Sequence, residues 1–153
     1  MKWITRKNIK VDRVACPWLI RRFIDSDAQF LFVEESALLD VAARESATPF
    51  DAPRLSNVAL NHRGDRCTFE AIIEDYKLNQ PGLSSLALIV RSADIKGQEP
   101  VALAGLGLRA IAEGFQAMGL SDEERLAKQF PIYDALLAYC LKSTISTNKE
   151  VNA

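Results

Sequence analysis

An α+β fold, with a small sheet of short strands in the N-terminal half packed against a mainly helical C-terminal half, is predicted for this 153-residue chain. Two observations predict it. Short runs rich in aromatic and branched residues are confined to the stretch before His62. After it, apolar residues recur at helical spacing between Pro and Gly breaks. With 48% hydrophobic and 25% charged residues, the composition is that of an ordinary globular protein. The length suits one domain, expected over residues 1–142, with a flexible polar tail at 143–153.

Trp3-Ile4-Thr5 reads as an edge strand. Pro17 is expected to open the first helix, because its missing N–H is no loss at the first helical position; Trp18, Leu19 and Phe23 form the apolar face, and Cys16 falls at the N-cap. Ala28 to Val33 has the content of a central strand. Glu34 to Arg44 shows helical spacing, and Asn57 to Asn61 reads as a short strand running into His62. Thr68 is a good N-cap for a helix through Lys77. Leu83 to Ser92 reads as a buried helix ended by Asp94. Pro100 to Gly119 is apolar nearly all round and is expected to be central. Ser121-Asp122-Glu123-Glu124 is a capping box, and Pro131 is expected to start the last helix.

The net charge of -1 and the pI of about 5.9 argue against a nucleic-acid binder, which normally carries a basic face. The charge is uneven, basic from Met1 to Arg22 and acidic from Asp25 to Asp51, which suits an anion site beside a solvated rim. Three cysteines, Cys16, Cys67 and Cys140, make an odd number without dense spacing and no disulfide framework. With no leader-like run at Met1 to Lys7 and no apolar stretch long enough to span a bilayer, a cytoplasmic location and no membrane contact are expected.

Two clusters carry chemistry. In the first, a helix start at Cys16 offers unpaired N–H groups and a partial positive charge, which favour a thiolate or an oxyanion. Arg13 and Arg21 flank it and are the candidate oxyanion-binding residues; a small buried cysteine with solvated arginines accounts for the same letters equally well. In the second cluster, His62 lies where a strand gives way to a helix, with Cys67 and Glu70 following and Asp94 further on. His62, Glu70 and Asp94 are the candidate ligands of a divalent metal. No established zinc spacing is present, and a hydrogen-bonded structural histidine is the simpler reading. Cys16 and Cys67 are the candidate catalytic thiols, either of which could pair with His62.

The run Asp12-Arg13-Val14-Ala15-Cys16-Pro17-Trp18-Leu19-Ile20-Arg21-Arg22-Phe23-Ile24-Asp25 resembles the signature of the bacterial chromate-resistance family, the ChrB C-terminal domain. His62 to Glu70, Leu88 to Asp94 and Tyr133 to Cys140 are similar to the family pattern too, so that the resemblance runs from about Trp3 to Cys140. It implies a role in chromate resistance or chromate sensing, through a small oxyanion such as chromate, and a regulator or rhodanese-like partner protein. Regulator-type members carry an additional N-terminal region, so DNA binding is not expected of these residues. Three functions are open at this point. They are an oxyanion-binding sensor with a metal-assisted or thiol-containing site, a thiol-dependent reductase or sulfur-transfer accessory enzyme, and a protein-partner module. The apolar Val101 to Met118 segment also offers a face for a homodimer.

Overall fold

A computed structural model describes the backbone of residues 1–152 and the side chains as far as Ser143. The chain runs β1 (Lys2–Arg6), α1 (Asp12–Phe23), β2 (Gln29–Val33), a 3-10 turn (Glu35–Ala37), α2 (Leu38–Glu45) and β3 (Thr48–Pro49). It continues through α3 (Thr68–Asp75), α4 (Leu83–Asp94), a second 3-10 turn (Glu99–Val101), α5 (Ala104–Ala117) and α6 (Asp122–Asn152). This is the expected α+β arrangement. The expected polar tail at 143–153 falls, beyond Ser143, outside the residues whose side chains are described.

The three strands are parallel, in the order β2-β1-β3. Trp3-Ile4-Thr5 is therefore the central strand and Ala28 to Val33 an edge, the reverse of the expectation. Burial gives the reason. Side chains alternate along a strand, and Trp3 and Ile4 are both fully buried but belong to different clusters. Trp3 packs with α1 and the helical half, while Ile4 packs with Leu38 and Ala42 of α2. Only a strand covered on both faces needs apolar residues at successive positions. β2 is only partly buried along its length.

The stretch before His62 forms no extended strand. A single parallel bridge joins Phe50 to Leu60, and the Asn61 side chain takes over from the ladder. Its Oδ1 accepts from Ala52 N at 2.7 Å, and its Nδ2 donates to Ala52 O at 3.0 Å and to Val58 O at 3.2 Å.

Two proline-based helix starts also move. α1 begins at Asp12, because the Val11 carbonyl already accepts from Val14 N (2.9 Å) and Ala15 N (2.7 Å). Pro17 lies inside the helix, where it leaves the Arg13 carbonyl without its usual helical donor. Pro131 lies inside α6, which starts at the capping box: Ser121 Oγ accepts from Glu124 N and Glu124 Oε2 from Ser121 N. The 100–119 segment is interrupted, and its helix α5 is not central. Gly105, Leu108 and Ala112 are buried, while Leu103 is 77% and Met118 61% exposed. Gly105 is required for that packing, since a Cβ there would lie 2.2 Å from Ser92 Oγ.

In β1-α1-β2-α2-β3 the chain leaves β1 toward one side of the sheet and returns to β3 on the other. Ligands in open parallel sheets bind outside the carboxyl ends of the strands at such a switch point. Asp12 follows β1, and Asp51 follows β3 by two residues.

Candidate metal centre

Four segments distant in sequence meet at that switch point. Nε2 of His62 lies 3.1 Å from Asp94 Oδ2, 3.3 Å from Asp12 Oδ2 and 3.4 Å from Asp51 Oδ1. Ligand atoms of Asp12, His62 and Asp94 all fall within 4.8 Å of one another. Asp12 is fully buried and Asp51 nearly so, whereas the His62 side chain keeps 30% of its exposure and gives solvent a way in.

Each carboxylate is held by its own partners. Asp12 accepts from Thr68 N at 2.7 Å and Phe69 N at 3.0 Å, capping the first turn of α3, where unpaired amides favour an anion. Cys16 Sγ, one turn along α1, donates to Asp12 Oδ1 at 3.4 Å. Asp51 adopts φ +48° and accepts from the Thr68 hydroxyl at 2.8 Å. Arg6 and Arg13 both reach its Oδ2 at 3.5 Å. Asp94 accepts from the backbone N–H of Asp12 at 3.4 Å.

The electrostatics follow from burial and crowding. Burial, with the charge of Asp94 second, raises the Asp12 carboxyl to about 7. Burial would also raise Asp51, but hydrogen bonds from His62 and Thr68 and the charge of Arg13 outweigh it and hold that group below its ordinary value. Hydrogen bonds to Asp12, Asp51 and Asp94 push His62 up to about 12, against the cost of its burial. One imidazole nitrogen carries one proton and can donate it to one acceptor at a time. The three carboxylates thus share a single imidazole proton beyond the donors each already has, and a divalent cation among them would balance charge that one proton cannot.

The remaining residues singled out from sequence lie elsewhere or in other roles. Glu70 Oε2 accepts from Cys67 N at 2.8 Å, and Arg91 donates to both Glu70 oxygens, so this carboxylate closes the start of α3 and is not among the ligand atoms gathered at His62. Thr68 is the first residue of α3, with Cys67 at the cap. Cys16 is the fifth residue of α1 and not its cap. Both sulfurs are buried, and burial pushes both thiols up, with the charge of Asp12 adding to it. Arg13 borders the cluster and also donates to the carbonyls of Arg6 and Lys7. Arg21 lies two and a half turns away, about 13 Å along α1. It donates to Ala28 O and stacks on Phe30 and Phe130.

Asp12 opens the 12–25 run without standing out in it as a ligand, and Asp51 lies outside every such run. Their common signal is position: each is the first acidic residue after a strand that ends at the switch point.

Fold and site together define a small α+β domain with a histidine–carboxylate cluster at the carboxyl edge of a parallel sheet. The chain matches the family described as "ChrB, C-terminal domain" over residues 3–140, and it belongs to that family. It is similar to Protein ChrB of Cupriavidus metallidurans, at 37% identity over 137 residues, covering 89% of this chain and 36% of the relative. The chain thus spans little more than a third of the length of that curated relative. No solved structure matches. Among the described residues, no helix is long and apolar enough to cross a membrane.

Proposed function

We propose that this domain binds a divalent cation between Asp12, His62 and Asp94, with Asp51 closing the fourth side, and that the loaded centre takes up a tetrahedral oxyanion of the chromate class. The observation that supports it is the convergence of three carboxylates, from three separate segments, on one imidazole nitrogen. An oxyanion placed there directly would meet three carboxylates and be repelled. A bound cation reverses that local charge and gives the anion an open coordination position to occupy.

Oxygen-rich donors with one imidazole and no thiolate suit Mn²⁺, Fe²⁺ or Mg²⁺ better than a soft ion. Arg13 and Arg6 supply positive charge on the Asp51 side and would help hold the anion. Cys16 supports Asp12 through its S–H. The choice of chromate over sulfate, phosphate or molybdate rests on the family, since all four share shape and charge. In this reading the domain is the ligand-responsive part of a chromate-resistance system, with a regulator or rhodanese-like protein as its partner.

The test is elemental analysis of purified, untagged protein, with chromate titration before and after chelation. Near-stoichiometric metal in the wild type, its loss in His62→Ala and metal-dependent chromate binding are expected. A metal-free wild type that also fails to take up Mn²⁺ or Fe²⁺ would overturn the proposal.

A further inference from the structure

Asp12 enters α1 from a residue that sterics disfavour. Val11 has φ +43° and ψ −96°, a conformation that a β-branched residue rarely adopts. The peptide unit between Val11 and Asp12 is held at both ends. Its carbonyl accepts from Val14 N, from Ala15 N and from the hydroxyl of Tyr133 on α6 at 3.2 Å. Its N–H, that of Asp12, donates to Asp94 Oδ1. Rotation about Val11 ψ toward a relaxed value would swing the carbonyl off Tyr133 and the N–H off Asp94 together.

The loop that leads to this peptide is tied to the same helix. Asp122 accepts from Asn8 N at 3.0 Å and from Ile9 N at 2.9 Å, and Arg125 donates to Asn8 Oδ1. Asn8 also has a positive φ, +60°. Both left-handed residues between β1 and α1 are therefore fastened to α6, none of whose described side chains belongs to the histidine–carboxylate cluster.

We infer that Tyr133 is a positioning residue for the metal centre: its hydroxyl holds the Val11–Asp12 peptide in its strained orientation and so sets Asp12 and Asp94 at the separation a shared cation needs. The inference rests on the metal-binding reading of the site. Tyr133 is fully buried, and its hydroxyl donates to the Val11 carbonyl and not to a carboxylate of the cluster. Its aromatic ring packs against Trp18 and serves the core, whereas the hydroxyl serves the site. Residues that orient ligands without ligating change metal affinity by about 10- to 100-fold when removed.

The experiment is titration of the metal-free full chain with Mn²⁺, comparing wild type, Tyr133→Phe and Leu126→Ala, alongside thermal unfolding of each without metal. Leu126 is buried on the same helix and has no polar group with which to hold the Val11–Asp12 peptide. Tyr133→Phe is expected to bind Mn²⁺ about tenfold more weakly with a nearly unchanged metal-free midpoint. Leu126→Ala should show a lowered midpoint with affinity retained. Amide exchange should quicken at Asp12 in Tyr133→Phe and not in Leu126→Ala. Wild-type affinity in Tyr133→Phe, or an equal loss in both variants, overturns the inference while leaving the metal centre standing. A wild type that takes up no Mn²⁺ removes the metal-binding reading on which it rests.

Discussion

At its N-terminal end α1 presents Asp12, Arg13 and Cys16 to buried carboxylates and an imidazole; at its C-terminal end it presents Arg21 and Arg22 to aromatic rings and to α6. Arg22 forms a two-pronged pair with Asp134, which also accepts from Trp18 Nε1, and both its side chain and that of Asp134 are more than two-fifths exposed. Arg21 lies over Phe30 and Phe130. The difference shows how one helix divides its work. Charges crowded into a buried corner must be balanced and can gather a ligand, whereas charges spread over apolar side chains at the surface only fasten elements together.

The comparison is broken most sharply by exchanging one carboxylate at the first end. Asp94→Asn is expected to lower Mn²⁺ affinity by on the order of 10²-fold or more, given that merely supporting residues account for about 10- to 100-fold. Calorimetric titration reads this directly, and an affinity within a few-fold of wild type would remove Asp94 from the ligand set.

Glu70 tests the border of the site. It caps α3 and pairs with Arg91 in a mostly buried position, so Glu70→Gln should cost about 2 kcal/mol in urea unfolding. Its metal affinity should be unchanged. A large loss of affinity would put Glu70 back among the ligands.

A third prediction concerns pH. Asp12 binds its proton more tightly folded, at about 7, than unfolded, near 3.8. Its contribution to the stability of the metal-free domain is thus complete below about pH 4 and lost as the pH rises through about 7. His62, raised from 6.5 to about 12, contributes fully below about 6.5 and loses that contribution only through about 12. A cation displaces these protons, so the gain in melting temperature from saturating Mn²⁺ should grow between pH 5 and 8. A gain that shrinks over that range would mean the cation binds elsewhere.

The smallest effect belongs to the other end of the helix. Arg22→Ala should cost about 0.2–1 kcal/mol, as expected of a half-exposed pair, and leave metal and chromate binding unaltered. Altered chromate binding there would bring the oxyanion role back to this end of α1, where the sequence offered Arg21 for it.

Much of the framework was readable residue by residue. The helices over α3 and α4 follow from their apolar spacing, and the start of α6 from Ser121 and Glu124, because these signals are local. The exchange of central and edge strands was not readable, because Trp3-Ile4-Thr5 is too short to show by itself that both faces are covered. The exposure of Leu103 and Met118 was equally hidden: an apolar helix carries no label for the side on which its neighbours stop.

For the centre itself, the chain alone supplied the residue types: a lone histidine at an element junction, acidic groups, and arginines beside a cysteine. It also singled out His62 and Asp94. What only the tertiary structure decided is which carboxylates meet that histidine. Asp12, Asp51 and Asp94 lie far apart along the chain; the first two come together because the parallel neighbours β1 and β3 end at one edge, and Asp94 joins them from the end of α4. Glu70, close to His62 in sequence, is taken up instead by the start of α3 and by Arg91. Sequence proximity is governed by local backbone geometry, whereas a buried cluster of charge is governed by topology, which no single segment contains.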